Sequence, residues 1–332
     1  MTGTAMRRRD FLALVGGTAA AWPLAARAQQ PATPVVGFLN SGSPDRDMNR
    51  AQAFRQGLSE AGYVEGRDVT IEYRWAHNRL EQLPALADDL ARRQVTVIAT
   101  GYNLAAVLAA KAASAKIPIV FQTGVDPVAT GLVASLNRPG GNLTGVTNLS
   151  NQVVPKHLEL LRELVPGAKD VALLINPTNP AGETISRDAQ AAANKIGVQL
   201  RIVRASTDID LEAAFTGLRQ QKPGALAISP DGFFGSRNGQ LAALALRHGL
   251  PSVSSFREYA VAGGLMSYGG SVIDQAHSAG VYTARILKGE RSADLPVLQV
   301  TKVELIVNLR TAKALGLAVS LPLIGRADEV IE

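Results

Sequence analysis

From Val35 onward the chain repeats one pattern. A short run of β-branched and aliphatic residues gives way to a longer segment whose apolar positions recur every three or four residues, and then another short run begins. Val35 to Asn40 is the first such run; Met48, Ala51, Phe54 and Leu58 then mark one face of a helix that Gly62 ends. Strands are expected at 69–75, 95–100, 117–123 and 143–148, with Leu80, Leu83, Leu86 and Leu90 on a helix between the second and the third. A helix carrying Leu158, Leu161 and Leu164 stops at Pro166-Gly167, and the alternation restarts at 171–176. Further strands are expected at 198–205, 225–229, 251–255 and 265–268, separated by helices near 180–196, 209–221 and 236–248. The two halves match in count and spacing, which predicts an α/β fold of two Rossmann-like parallel-sheet lobes.

Open parallel sheets bind ligands beyond the carboxyl ends of their strands, so residues just past each strand carry the functional weight. Here they are small and polar: Ser41-Gly42-Ser43, Gly101-Tyr102-Asn103, Gly124-Val125-Asp126 and Asn148 in the first half. In the second half they are Asn176 to Asn179, Asp231 to Phe234, Phe256-Arg257-Glu258 and Tyr268-Gly269. Two facing half-sites make a cleft. Thr100 to Asn103 stand before a helix at 104–115, whose free N–H groups suit a carboxylate, with Ser41 and Tyr102 nearby; simple capping by Asn103 is the alternative. Asp231 beside Phe233 and Phe234 suits an ammonium group next to an apolar one, against a turn aspartate beside core aromatics. Asn179-Pro180 and Asp126-Pro127 read equally as helix caps, and Arg257-Glu258 as a solvent-facing or inter-lobe ion pair. Phe256 and Tyr268 complete the expected ligand-binding set of Ser41, Thr100, Tyr102, Asp126, Asn179, Asp231, Phe233, Phe234, Phe256 and Tyr268.

Composition removes most chemistry. The 332 residues include no Cys, which excludes disulfides, thiolate metal sites and Cys nucleophiles. The four His, at 77, 157, 248 and 277, have no metal-ligand spacing; His157 and His248 fall on helices and are expected at the surface or as caps. No nucleophile elbow, Walker loop or dinucleotide fingerprint is present, so neither catalytic residue nor cofactor is assigned; Asp126 with Asp231 is the one acid–base pair an enzyme could use. The net charge is +6, and half of it sits in the first 28 residues, where Arg7, Arg8, Arg9 and Arg27 face a single Asp10. The remainder lacks the basic footprint of a nucleic-acid binder.

The first 28 residues read as a cleavable export signal. Arg8-Arg9-Asp10-Phe11-Leu12 fits the twin-arginine pattern, an apolar stretch at 13–24 follows, and Ala26-Arg27-Ala28 precedes the expected cut before Gln29. That stretch falls short of the ~20 residues a membrane-spanning helix requires.

Several motifs carry a family resemblance: the twin-arginine start, Thr100-Gly101 before an Ala-rich helix, Asp126-Pro127-Val128, Arg138 to Val146 (RPGGNLTGV) and Gly263 to Gly269 (GGLMSYG). Together they resemble the ABC-transporter substrate-binding family that includes tryptophan-binding lipoproteins, over essentially all of the chain past its signal. The resemblance implies a class I periplasmic binding protein, two lobes joined by three crossovers and closing on a ligand by hinge motion. It places the crossovers near Asn148, Gly263-Gly264 and Pro296, giving an amino-terminal lobe of 33–148 plus 265–295 and a carboxyl-terminal lobe of 149–264 plus 296–330. The implied function is capture of a small amino-acid-like or carboxylated solute for an inner-membrane permease, by a monomer free in the periplasm, since no Cys is present for acylation. A sensor subunit and an exported enzyme on the same scaffold are the alternatives. Replacing Arg8 and Arg9 with Lys should leave precursor in the cytoplasm, checked by fractionation and immunoblotting; normal periplasmic accumulation of the variant would contradict twin-arginine export.

Overall fold

The structure, a computed structural model, describes residues 33–332; the expected export signal and its cleavage point lie outside the described residues. The first βα series is β1 (Val35–Asn40), α1 (Pro44–Glu60), β2 (Thr70–Trp75), α2 (Leu83–Arg92), β3 (Val97–Tyr102), α3 (Leu104–Ala113), β4 (Ile119–Thr123) and β5 (Leu143–Thr147). The second runs α4 (Val154–Leu164), β6 (Asp170–Ile175), α5 (Gly182–Ile196), β7 (Gln199–Arg204), α6 (Asp208–Gln221), β8 (Ala225–Ile228), α7 (Gly232–Gly235), α8 (Asn238–Arg247), β9 (Ser252–Ser254), α9 (Arg257–Val261) and β10 (Met266–Gly270). The remainder is α10 (Val272–Leu287), β11 (Leu298–Gln299), β12 (Val303–Asn308), α11 (Leu309–Ala314), α12 (Leu321–Arg326) and β13 (Glu329–Ile331). Local chemistry sets the boundaries. Pro44 opens α1 with Asp45 and Asp47 in its first turn, Thr207 and Asp210 form a capping box on α6, and α5 ends on left-handed Gly197.

Two sheets form, in the orders β11-β5-β4-β3-β1-β2 and β13-β12-β10-β9-β8-β6-β7. Every pairing is parallel except β10 with β12. Apolar clusters cover both faces of each sheet, Phe121 with Leu90 and Phe38 with Phe54 on the first, Leu173 with Ile185 and Leu174 with Phe215 on the second. Burial on both faces is why these strands read as continuous apolar runs.

The lobe boundaries differ from the sequence expectation at two places. β10 pairs with β9 and β12, so residues 266–270 belong to the second sheet, and the chain crosses back at Ser271 rather than at Gly263-Gly264. β11 pairs with β5, which keeps residues 298–299 in the first lobe and moves the third crossover from Pro296 to 300–302. β11 pairs with a strand far earlier in the chain and β10 joins strands on both sides of it in sequence, choices that local pattern does not record. The chain passes between the lobes at Asn148-Leu149, and Leu149 there adopts a left-handed conformation at φ 49° that costs a non-glycine residue about 1 kcal/mol.

His157 is fully buried, not a surface or capping residue. It lies one position before Leu158 on the apolar stripe of α4, and its Nε2 donates to the Tyr268 carbonyl at 2.7 Å. Burial pulls its pKa down to about 4, so the ring is neutral at physiological pH.

After the second crossover, α10 returns to the first lobe and lies against α1. The two helices meet through reciprocal glycines: a Cβ on Gly57 would run into the His277 carbonyl oxygen, and one on Gly280 into that of Phe54. Gln275 of α10 adds hydrogen bonds from Nε2 to the carbonyls of Thr123 and Val146, at 2.9 and 2.7 Å. In an exposed helix Gly→Ala adds up to ~1 kcal/mol of stability. At Gly280 the sign should reverse: Gly280→Ala should lose about 1–3 kcal/mol by overpacking, read from urea unfolding against wild type.

Candidate functional site

The carboxyl ends of both sheets face one another, and their residues enclose a small slot. The first lobe contributes Tyr102 and Asn103 at the end of β3, Leu104 at the start of α3, Thr123 to Val125 past β4, and Asn151; the second contributes Asn179 and Pro230 to Gly232. The slot measures about 20 Å³, room for a single water or ammonium-sized group. Contact across it is close. A Cβ on Gly232 would lie 3.0 Å from the Tyr102 carbonyl, 3.3 Å from Asn103 Nδ2 and 3.6 Å from Ser41 Oγ.

Asp231 is the charged centre of the slot. It is 2 % exposed and caps α7, its Oδ1 accepting from Phe233 N at 2.8 Å and from Asn176 Nδ2 at 3.0 Å. Its Oδ2 is buried and has no hydrogen-bond partner among the described residues. Burial raises the pKa of this carboxyl, with the donors from Asn176 and Phe233 opposing the shift. Opposite it, the Tyr102 hydroxyl bonds to Ser150 Oγ, and burial pushes the phenol up to about 12, so it stays protonated. Asn103 caps α3 by accepting from Ala105 N at 2.8 Å, the alternative its sequence offered.

A second contact bridges the lobes on the far side of Tyr102. The Tyr102 ring meets Phe256 edge-on at 6.1 Å, and Arg50 of α1, paired with Asp47 at 3.2 Å, lies 5.6 Å over the other lobe's Phe256. Arg46 approaches Asp208 at 3.9 Å, and Asp208 is itself held at 2.5 Å by Arg237. These pairs join α1 of one lobe to the second lobe's α6, α8 flank and β9 end.

The expected site residues separate into two groups. Tyr102, Asn179 and Asp231 line the slot, Ser41 lies close to Gly232 at its edge, and Phe256 backs it through Tyr102. Asn179 also accepts from Ala181 N at 2.9 Å, the cap role its sequence allowed. Thr100 does not reach the cleft: β3 runs two residues further than its pattern suggested, so Thr100 is fully buried in the sheet, accepting from Gln122 N. Phe233 and Phe234 lie in the second lobe's core, and the outer face of Phe233 is covered by the Arg237 guanidinium at 3.8 Å. The Tyr268 ring packs edge-on against His157 at 6.2 Å, on the second lobe's own helix. The Asp126 carboxylate is spent on a turn, accepting from Val128 N and Ala129 N, and it lines the larger cavity beside the slot, not the slot itself. Arg257 pairs with Glu329 at 2.6 Å, within the second lobe.

Leu104, Ser150, Asn151 and Arg50 were not anticipated. Ser150 and Asn151 follow β5 directly and were within reach of the strand-end rule; Arg50 lies mid-helix, where no local signal distinguishes it from a solvated arginine.

Two α/β lobes whose strand ends enclose a buried, incompletely bonded polar slot define a two-lobed solute receptor. The family model described as "ABC transporter substrate binding protein" matches residues 38–331, and the chain belongs to that family. It is similar to the tyrosine-binding protein of Clostridioides difficile strain R20291, 27% identical over 267 residues that cover 80% of this chain and 76% of that protein. In fold it is similar to a conserved domain protein from Vibrio cholerae O1 biovar El Tor, with TM-score 0.82, 24% identity and coverage of 90% of this chain and 99% of the other. It also matches the ABC domain from Streptococcus pneumonia in complex with L-Trp, with TM-score 0.80, 21% identity and coverage of 90% and 100%. No helix among the described residues is long and apolar enough to cross a membrane.

Gly232 sets how near the lobes come. Gly232→Leu should leave each lobe folded but hold the cleft open, seen as a larger radius of gyration in small-angle scattering with an unchanged circular dichroism spectrum.

Proposed function

We propose that this solute-binding protein is exported to the periplasm, works there as a monomer, and closes on an α-amino acid or similarly small zwitterion that it delivers unchanged to an ABC permease. The observation that carries the ligand assignment is Asp231 Oδ2, a buried carboxylate oxygen without a donor, in a slot the size of an ammonium group. Leaving such a group unpaired is costly, and an ammonium supplies both the donor and the countercharge. The opposite wall offers only dipoles: the first turn of α3, the Ser41 hydroxyl and the amide of Asn151. That wall suits the ligand's carboxylate. The relatives favour the same chemistry, since one is named for tyrosine and another was crystallised with L-Trp.

Against an enzyme stands the separation of the two candidate acid–base groups. Asp126 is engaged by its own turn outside the slot, which leaves Asp231 without a catalytic partner there.

Because an ammonium requires the ionised carboxylate, affinity should fall as pH drops through the raised pKa of Asp231, beginning above the ordinary carboxylate value near 4. Asp231→Asn keeps an oxygen for capping α7, removes that pH dependence and should weaken binding by about 1.5 kcal/mol or more. Calorimetry checks this, using the ligand identified by mass after denaturing purified protein. Equal affinity in wild type and Asp231→Asn would exclude the ammonium assignment.

A further inference from the structure

The slot is too small for a whole amino acid, and the structure has a place for the rest. An adjoining cavity of about 370 Å³ lies between the lobes. Leu104, Val125 and Asn151 line both spaces, so the cavity lies directly beside the slot. Part of the wall is aliphatic: Ala181, at the N-cap of α5, and Ile185, one turn further along, lie with Leu104 and Val125 of the other lobe. Much of the rest of the lining is polar and charged, with Asp126 and Thr130 beside Ala129 from one lobe and Thr184, Arg187 and Asp188 from the other.

Resting on the zwitterion reading above, we infer that this cavity is the side-chain compartment of the ligand site and that Ala181, Ile185 and Ala129 decide which side chains are accepted. This mixed lining fits a solute whose side chain is apolar in part and tolerates a polar tip. This assignment takes the selecting role away from Phe233, Phe234 and Tyr268, whose rings are turned into the second lobe. It also makes selection depend on both lobes, because each supplies one wall of the compartment.

Calorimetry with glycine, L-alanine, L-leucine and L-phenylalanine tests the inference on wild type and two variants. Ala181→Phe fills the compartment from the second lobe. Ala129→Trp fills it from an exposed position on the first, where a large residue leaves the core intact. Wild type should prefer L-phenylalanine over glycine by at least about tenfold. Each variant should lose about tenfold or more for L-phenylalanine while its affinity for L-alanine stays within about twofold. Equal wild-type affinity for glycine and L-phenylalanine, or L-phenylalanine binding undiminished in Ala129→Trp, would overturn the compartment and leave the zwitterion reading standing. Failure of wild type to bind any of the four would overturn the zwitterion reading and this inference together.

Discussion

A carboxylate enclosed by protein on all sides, with one oxygen unbonded, is the constraint on which the rest of this site depends. Asp231 is almost wholly shielded from bulk solvent, and its other oxygen is already committed to the α7 amide and to Asn176. An ionised carboxylate so placed costs free energy unless a donor meets its remaining oxygen, which is the basis of the ammonium proposal. The surroundings carry no competing positive charge into the slot: Arg50 and Arg237 are near but face Phe256 and Phe233, each held by its own aspartate.

The fold delivers this arrangement through strand direction. In parallel sheets every strand ends on the same side, so two sheets that share three crossovers present their carboxyl ends to one another. The glycine-mediated contact of α10 with α1 ties the returning segment to the first lobe. Gly232 and Gly280 serve different contacts. One gives room for the close approach of the two lobes, while the other gives room for the packing of two helices within one lobe.

The repeating βα units, the halving of the chain and the placement of polar residues at strand ends were all legible, because hydrophobic period and turn chemistry are local. So was the position of Tyr102, Asn179 and Asp231 at the facing sheet ends, since that requires only the end of each strand. Thr100 was misplaced because strand ends are the least certain feature of a pattern, and two further residues of β3 put it inside the sheet. His157 is polar and so reads as a surface residue, but its position beside Leu158 on α4 turns it into the core, where the Tyr268 carbonyl accepts its N–H. Phe233 and Phe234 follow an aspartate that does belong to the slot, yet the single turn of α7 rotates both rings into the core.

What the sequence determined by itself is therefore the class of fold and the side of each sheet on which its polar strand-end residues gather, since both follow from short-range periodicity. Tertiary structure alone decided which sheet received β10 and β11, which buried oxygen was left without a donor, and where a side chain has room. Those depend on backbone pairing and packing between residues far apart in the chain, such as the pairing of Val146 with Leu298 or the cavity wall shared by Leu104 and Ile185, and no local pattern encodes a partner so distant in sequence.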